Sequence, residues 1–183
     1  MDDLLLFFIA AGFIAQLIDG SLGMAYGVTA SSILLSLGLP PATVSATVHA
    51  AECFSTGASA VSHHAFGNVR KELVKKLVVP GVIGAVIGAY VLTALPGDVI
   101  KPYIAGYLLL MGVVILIKAF RKFPPKQVTE HVAPLGFFGA LIDTIGGGGW
   151  GPIVASNLIG RGNDPREAIG SVNAAEFFVT LAG

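Results

Sequence analysis

The stretch Asp19-Gly20-Ser21-Leu22-Gly23 interrupts an apolar run that extends from Leu4 to Leu37. A second interruption, Asp143-Thr144-Ile145-Gly146-Gly147-Gly148-Gly149, falls inside the apolar run from Val132 to Ile159. Glycine costs a helix about 1 kcal/mol per residue relative to alanine, so four in succession behind an acid break it. Each run is therefore expected to form two short helices joined by a non-helical turn within the membrane, an arrangement tolerated at that depth only where protein or a cavity satisfies the backbone.

The two interruptions belong to one repeated text. Residues 12–59 lie over residues 136–183 without a gap, pairing Asp19 with Asp143, Gly23 with Gly147, Gly38 with Gly162 and Pro41 with Pro165. The register continues through Val48/Val172, Glu52/Glu176 and Thr56/Thr180. Shared apolar composition supplies chance matches of leucine, alanine and valine, but it does not align two kinds of acid with glycines and a proline. This is an internal repeat. It divides the chain into a first repeat, residues 1–131, with a broken helix pair and three transmembrane helices, and an incomplete second repeat, residues 132–183, with a broken pair and the start of the next helix. Either the sequence is a piece of a longer chain or the missing helices are supplied from elsewhere.

A chain that is 54% hydrophobic and 12% charged, with a mean hydropathy of +0.80, is too apolar to keep in water and belongs in a bilayer. The formal net charge is zero and no basic tract follows a phosphate backbone, which excludes nucleic acid as a partner. Cys53 is the single cysteine, so there is no internal disulfide and no zinc or redox spacing. Met1-Asp2-Asp3 lacks the positive start of a cleaved signal, so residues from Leu4 onward read as the first membrane segment. A helical crossing takes roughly 20 apolar residues. Ala42 to Ala65, Leu77 to Leu95 and Tyr103 to Phe120 meet that length cleanly. The expected fold is an all-α membrane protein, a polytopic helical bundle.

Lysine and arginine set its orientation. Arg70, Lys71, Lys75 and Lys76 fall in one connection, Lys118, Arg121, Lys122 and Lys126 in another, and Arg161 and Arg166 in a third. These three are expected on the cytoplasmic side. If each broken pair enters and leaves on one side, the first repeat starts outside and the second inside, the inverted-repeat topology of many secondary transporters.

Asp19, Glu52, Asp143 and Glu176 are the acids within the expected spans, with no lysine or arginine in the same segments. An ionisable group at that depth costs roughly 2.5–3.5 kcal/mol on insertion scales and marks a pathway or a buried partner. All four are candidates for proton coupling; for Asp19 and Asp143 a helix cap is the structural alternative. Backbone N–H groups freed in the glycine turns, around Ser21, Gly23, Gly146, Gly147, Gly148 and Gly149, are candidates to bind an anion. Close helix packing is the alternative for glycine, as for Gly84 and Gly88. Thr47, His49, Ser171 and Asn173 lie on the repeated polar face Thr47-Val48-His49-Ala50-Ala51-Glu52 and Ser171-Val172-Asn173-Ala174-Ala175-Glu176, and can donate hydrogen bonds to an oxyanion. One histidine and one carboxylate do not make a metal site, and no cofactor is implied. No Ser/His/Asp triad is evident, which disfavours a hydrolase.

The chain resembles the TauE/SafE sulfite exporter family. The resemblance rests on Asp19-Gly20-Ser21-Leu22-Gly23-Met24-Ala25-Tyr26-Gly27, Val48-His49-Ala50-Ala51-Glu52, Ser62-His63-His64-Ala65-Phe66-Gly67-Asn68-Val69 and Gly146-Gly147-Gly148-Gly149-Trp150-Gly151-Pro152, and covers essentially all of the sequence. It implies a multi-pass bacterial inner-membrane permease for small sulfur-containing anions such as sulfite or sulfonates. Members are normally longer, by the end of the second repeat. The leading expectation is a secondary transporter whose two broken pairs meet near the midplane, bind the anion on backbone N–H groups and carry protons on the acids. The expected partners are the lipid bilayer, the anion and protons, with either a second copy of the chain, as a homo-oligomer, or C-terminal helices supplied elsewhere. The competing expectation, a membrane scaffold or biogenesis factor, requires glycine turns sealed by side chains with no cavity beside them.

Overall fold

The structure, a computed structural model, describes residues 2–120 and 130–183, and every element among them is helical. Arg121, Lys122 and Lys126 of the second basic connection lie outside the described residues. The order is α1 (Asp2–Leu22), α2 (Tyr26–Ser36), α3 (Pro41–Ala65), α4 (Lys71–Ala94), α5 (Gly97–Ala119) and α6 (Val132–Gly146). A π-helical turn (Gly151–Ala155) then runs into α7 (Ser156–Gly160), and α8 (Pro165–Ala182) closes the chain.

Both expected breaks are present, but each falls later than the sequence suggested. Asp19 and Asp143 sit in the last turns of α1 and α6 rather than at the interruption itself. Each helix ends where a glycine takes a left-handed conformation, Gly23 at φ 74° and Gly147 at φ 69°, and turns its amide back to the carbonyl of Asp19 or Asp143. Gly20 stays helical because nothing there demands a positive φ. The first run is also not two short pieces: α1 has 21 residues, enough to cross a bilayer, while α2 has 11.

Among the described residues, α1, α4 and α5 are the helices long and apolar enough to cross a membrane. α3, expected to be a clean span, has 25 residues but is diluted by Ser45, His49, Glu52 and Thr56, all of them buried against other helices. α4 starts at Lys71 rather than Leu77, its first turns supported by Lys76 donating to Glu72 at 2.7 Å. α5 starts at Gly97 rather than Tyr103, with Asp98 in the first turn complementing the helix dipole.

The repeat reappears bond for bond. Gly38 at φ 87° donates to Leu35 O, and Gly162 at φ 93° donates to Ile159 O. The following amides, of Leu39 and Asn163, return to Leu34 O and Leu158 O. Pro41 and Pro165 then open α3 and α8, where a missing amide proton costs nothing.

α3 and α8 run antiparallel along a shared seam. Cys53 Sγ reaches Thr180 Oγ1, and Asn173 Nδ2 donates to Ser59 Oγ at 2.7 Å, so position rises along one helix as it falls along the other. α4 lies parallel to α6, where side chains at Gly84 and Gly88 would strike the backbone of Phe137 and Leu141. Trp150 is fully buried between α4, α6 and α8 and donates through Nε1 to Val172 O at 3.2 Å. The first and third basic connections lie at one end, where Arg70 reaches Asn163 Oδ1 at 3.3 Å and Arg161 donates to Glu130 O at 2.9 Å.

Candidate functional site

Each break is closed by the aspartate that precedes it. Asp19 Oδ1 accepts from Ala25 N at 2.7 Å and Tyr26 N at 3.0 Å, and Asp143 Oδ1 accepts from Trp150 N at 2.9 Å. Tyr26 and Trp150 occupy the same place in the two repeats. The carboxylates thus satisfy amides at the start of the following half-helices, which is the capping role, and those N–H groups are already engaged.

The two turns meet backbone to backbone. A side chain on Gly27 would lie 2.7 Å from Gly148 Cα and 2.7 Å from Glu52 Oε1, and one on Gly148 would strike the Gly27 backbone. Ser31 Oγ donates to Gly147 O across the same contact. Tyr107 of α5 presses its ring against Gly146 and its hydroxyl against Gly149. All four glycines of the second turn therefore have a packing reason, and Gly146, Gly147 and Gly148 do not border the cavity described next.

That cavity, of about 160 Å³, lies between α1, the first turn, α3 and α8. Its volume is roughly ten times the ~15 Å³ needed by one water. Asp19, Glu52, Glu176 and Asn173 line it, with Gly23 and Gly149 at its wall, so it gathers three of the four expected acids, the expected amide and two of the expected turn glycines. No lysine or arginine lines it. Glu52 is 4% exposed and Glu176 7%, and Glu52 Oε2 has no hydrogen-bond partner. A buried polar atom without a partner is costly, which makes it the point of interest in this wall.

The remaining expected residues lie elsewhere. Ser21 is exposed and bonds Leu17 O, and Thr47 is exposed and bonds Thr43 O, so neither reaches the cavity. Ser171 is buried and accepts from Arg70 N at 2.8 Å, tying α8 to the start of α4. His49 Nε2 lies 3.2 Å from Asp143 Oδ2, and its Nδ1 lies 3.1 Å from Ser45 Oγ, which gives its own hydrogen to Thr144 O. Both ring nitrogens thus face acceptors, and a ring carrying both protons neutralises Asp143. The counterpart of His49 is Asn173, which faces the cavity instead.

Ser59 escaped the sequence reading. Thr56, Ser59 and His63 continue the face of Glu52 at helical spacing along α3, and all three line the cavity, with His63 at the basic end of the bundle. The spacing was the available signal. Tyr107 had none, because its contact comes from a helix distant in sequence.

The family model described as Sulfite exporter TauE/SafE matches residues 8–183. The chain is 48% identical over 186 residues to the probable membrane transporter protein YtnM of Bacillus subtilis (strain 168), covering 97% of this chain and 62% of YtnM. It is 30% identical over 147 residues to the probable membrane transporter protein ORF9 of Sinorhizobium sp, covering 78% of this chain and 54% of ORF9. It therefore spans less than two thirds of the length of either relative. No solved structure matches the chain. With paired breaks, buried acids and a family match over nearly its whole length, the chain belongs to the sulfite exporter TauE/SafE family of membrane transporters.

Proposed function

We propose that this chain forms the core of a proton-coupled secondary transporter for small sulfur-containing oxyanions, sulfite or organosulfonates, in a bacterial inner membrane. In this reading residues 1–131 and 132–183 are two oppositely oriented repeats, and the antiparallel seam of α3 and α8 supports that arrangement. The gathering of basic connections at one end supports a multi-pass chain with that end in the cytoplasm. The cavity, reaching from Glu52 and Glu176 to His63, then opens inward.

The observation that carries the coupling is the cavity wall: buried carboxyl groups with an oxygen on Glu52 that no described residue partners, and no lysine or arginine among the described lining residues. Two unit charges of like sign 4 Å apart repel by about 4 kcal/mol at an effective dielectric of 20. An anion therefore enters beside Glu52 and Glu176 when they carry protons, and the protonated carboxyls become donors to it along with Asn173 and Ser59. Because the aspartates occupy the half-helix amides, side-chain donors hold the anion in place of the turn backbone. Proton and anion binding help one another, and linkage makes the effect reciprocal.

Sulfite uptake into proteoliposomes, measured as a function of pH on the cavity side, tests this. Affinity rises as pH falls in the wild type, and this dependence flattens in Glu52→Gln and Glu176→Gln, whose side chains are permanently neutral donors. Wild-type affinity independent of pH, or an unchanged dependence in both variants, refutes the coupling.

A further inference from the structure

The two repeats are packed to different extents, and the difference defines an empty seat. In the second repeat, α4 lies across α6 and α8. A side chain at Gly84 would strike Phe137 O, one at Gly88 would come within 2.8 Å of Leu141 O and 3.0 Å of Thr144 Cβ, and one at Gly81 would meet Val179 and Trp150 at 2.8 and 3.0 Å. The matching positions in the first repeat are Phe13, Leu17, Gly20, Tyr26 and Ser55. No described residue covers them in the same way: Phe13 is 64% exposed and Leu17 56%, and side chains built on Gly12 or Gly20 would meet no described atom within 4 Å. Gly136, the counterpart of Gly12, is buried against Leu77 of α4. Ala15 is the one buried residue among those described in α1.

We propose that the open face of α1, with the adjoining Tyr26 and Ser55, is the seat of a second glycine-faced transmembrane helix, a counterpart of α4 with small residues at the spacing of Gly81, Gly84 and Gly88. Two further observations favour a helix over lipid. Gln16 is exposed on this face and also lines the cavity, so lipid lying here would bring hydrocarbon against a polar rim. Gly20, Tyr26 and Ser55 also border the cavity, so the seat is its open flank and a helix there completes the wall. The occupant fits the length of YtnM and ORF9 that this chain does not span. Close approach through small residues is the usual basis of helix association in lipid.

The probe is a fluorescent peptide of the α4 sequence, residues 71–94, added to the full 183-residue chain carrying an acceptor dye at its N-terminus, in phosphatidylcholine vesicles. Saturable energy transfer is expected. It weakens at least tenfold in the chain variant Gly12→Leu and with a Gly84→Leu peptide, and is unchanged in Phe54→Ala, which alters an exposed position of α3. Gly12 has open space around it, and unaltered Trp150 emission confirms that the variant folds. Absence of saturable transfer overturns the proposal, as does transfer indifferent to Gly12→Leu. Self-association of the chain that depends on Gly12 and resists the peptide overturns it in favour of a second copy. Since no flux is read, the outcome is separate from that of the transport assay.

Discussion

Replacing Gly27 by alanine tests whether the contact between the two turns holds the bundle together. The added methyl lies 2.7 Å from Gly148 Cα and 2.7 Å from Glu52 Oε1, about 1 Å inside the ~3.5–4.0 Å at which carbon atoms rest. Glu52 can swing away, but Gly148 Cα is backbone, held by the amide of Gly148 on Asp143 O at 3.1 Å and by Ser31 on the neighbouring carbonyl. Forced methyl groups in packed interiors cost about 1–3 kcal/mol. Alanine returns about 1 kcal/mol of helix propensity, leaving a net loss of about 0–2 kcal/mol against the wild type and about 1–3 kcal/mol against a control that gains the same propensity. At about 2–4 °C per kcal/mol for a chain of this size, melting falls by up to about 8 °C from the wild type and by roughly 2–12 °C from that control. Trp150 is the single tryptophan and is fully buried, so its emission in detergent micelles follows the melt without a label. Gly12→Ala is the control: with open space around it, it melts at or slightly above the wild type. A Gly27→Ala protein as stable as that control refutes the claim that the turns are locked by backbone contact.

Other outcomes follow from the same geometry. Asp19→Ala removes the acceptor of two half-helix amides and is expected to cost about 1–2 kcal/mol, read as faster hydrogen exchange at Ala25 and Tyr26 with little change at Trp150. Tyr107→Phe deletes a buried hydroxyl that has no hydrogen-bond partner, so thermal melting stays within about 1 kcal/mol of wild type or improves; a large loss shows that the hydroxyl is bonded after all.

Much of this architecture was legible because its causes are local and occur twice. A proline at the start of α3 and α8, a left-handed glycine after α2 and α7, and an acid ahead of each break all act within a few residues. The duplicated register therefore exposed them. The exact ends of α1 and α6 were not legible, since a helix tolerates Gly20 and stops only at the glycine whose φ turns positive. The Gly146–Gly149 tract had two readings in the sequence. The structure separates its members by their neighbours: Tyr107 against Gly146 and Gly149, Ser31 against Gly147, Gly27 against Gly148. Those neighbours come from other helices, and no pattern along the chain specifies them. The same holds for His49, which shares a helical face with Glu52 yet turns to Asp143, while its counterpart Asn173 faces the cavity.

That divergence shows which duplicated positions can drift apart. Glu52 and Glu176, matched in the repeated register, look into a single chamber, so a charge gained or lost at one is felt at the other. His49 and Asn173 are matched as well, but they face different surroundings, one the buried carboxylate of Asp143 and the other the cavity. The repeated sequence therefore serves two unlike tasks, holding Asp143 at one position and lining the cavity at the other.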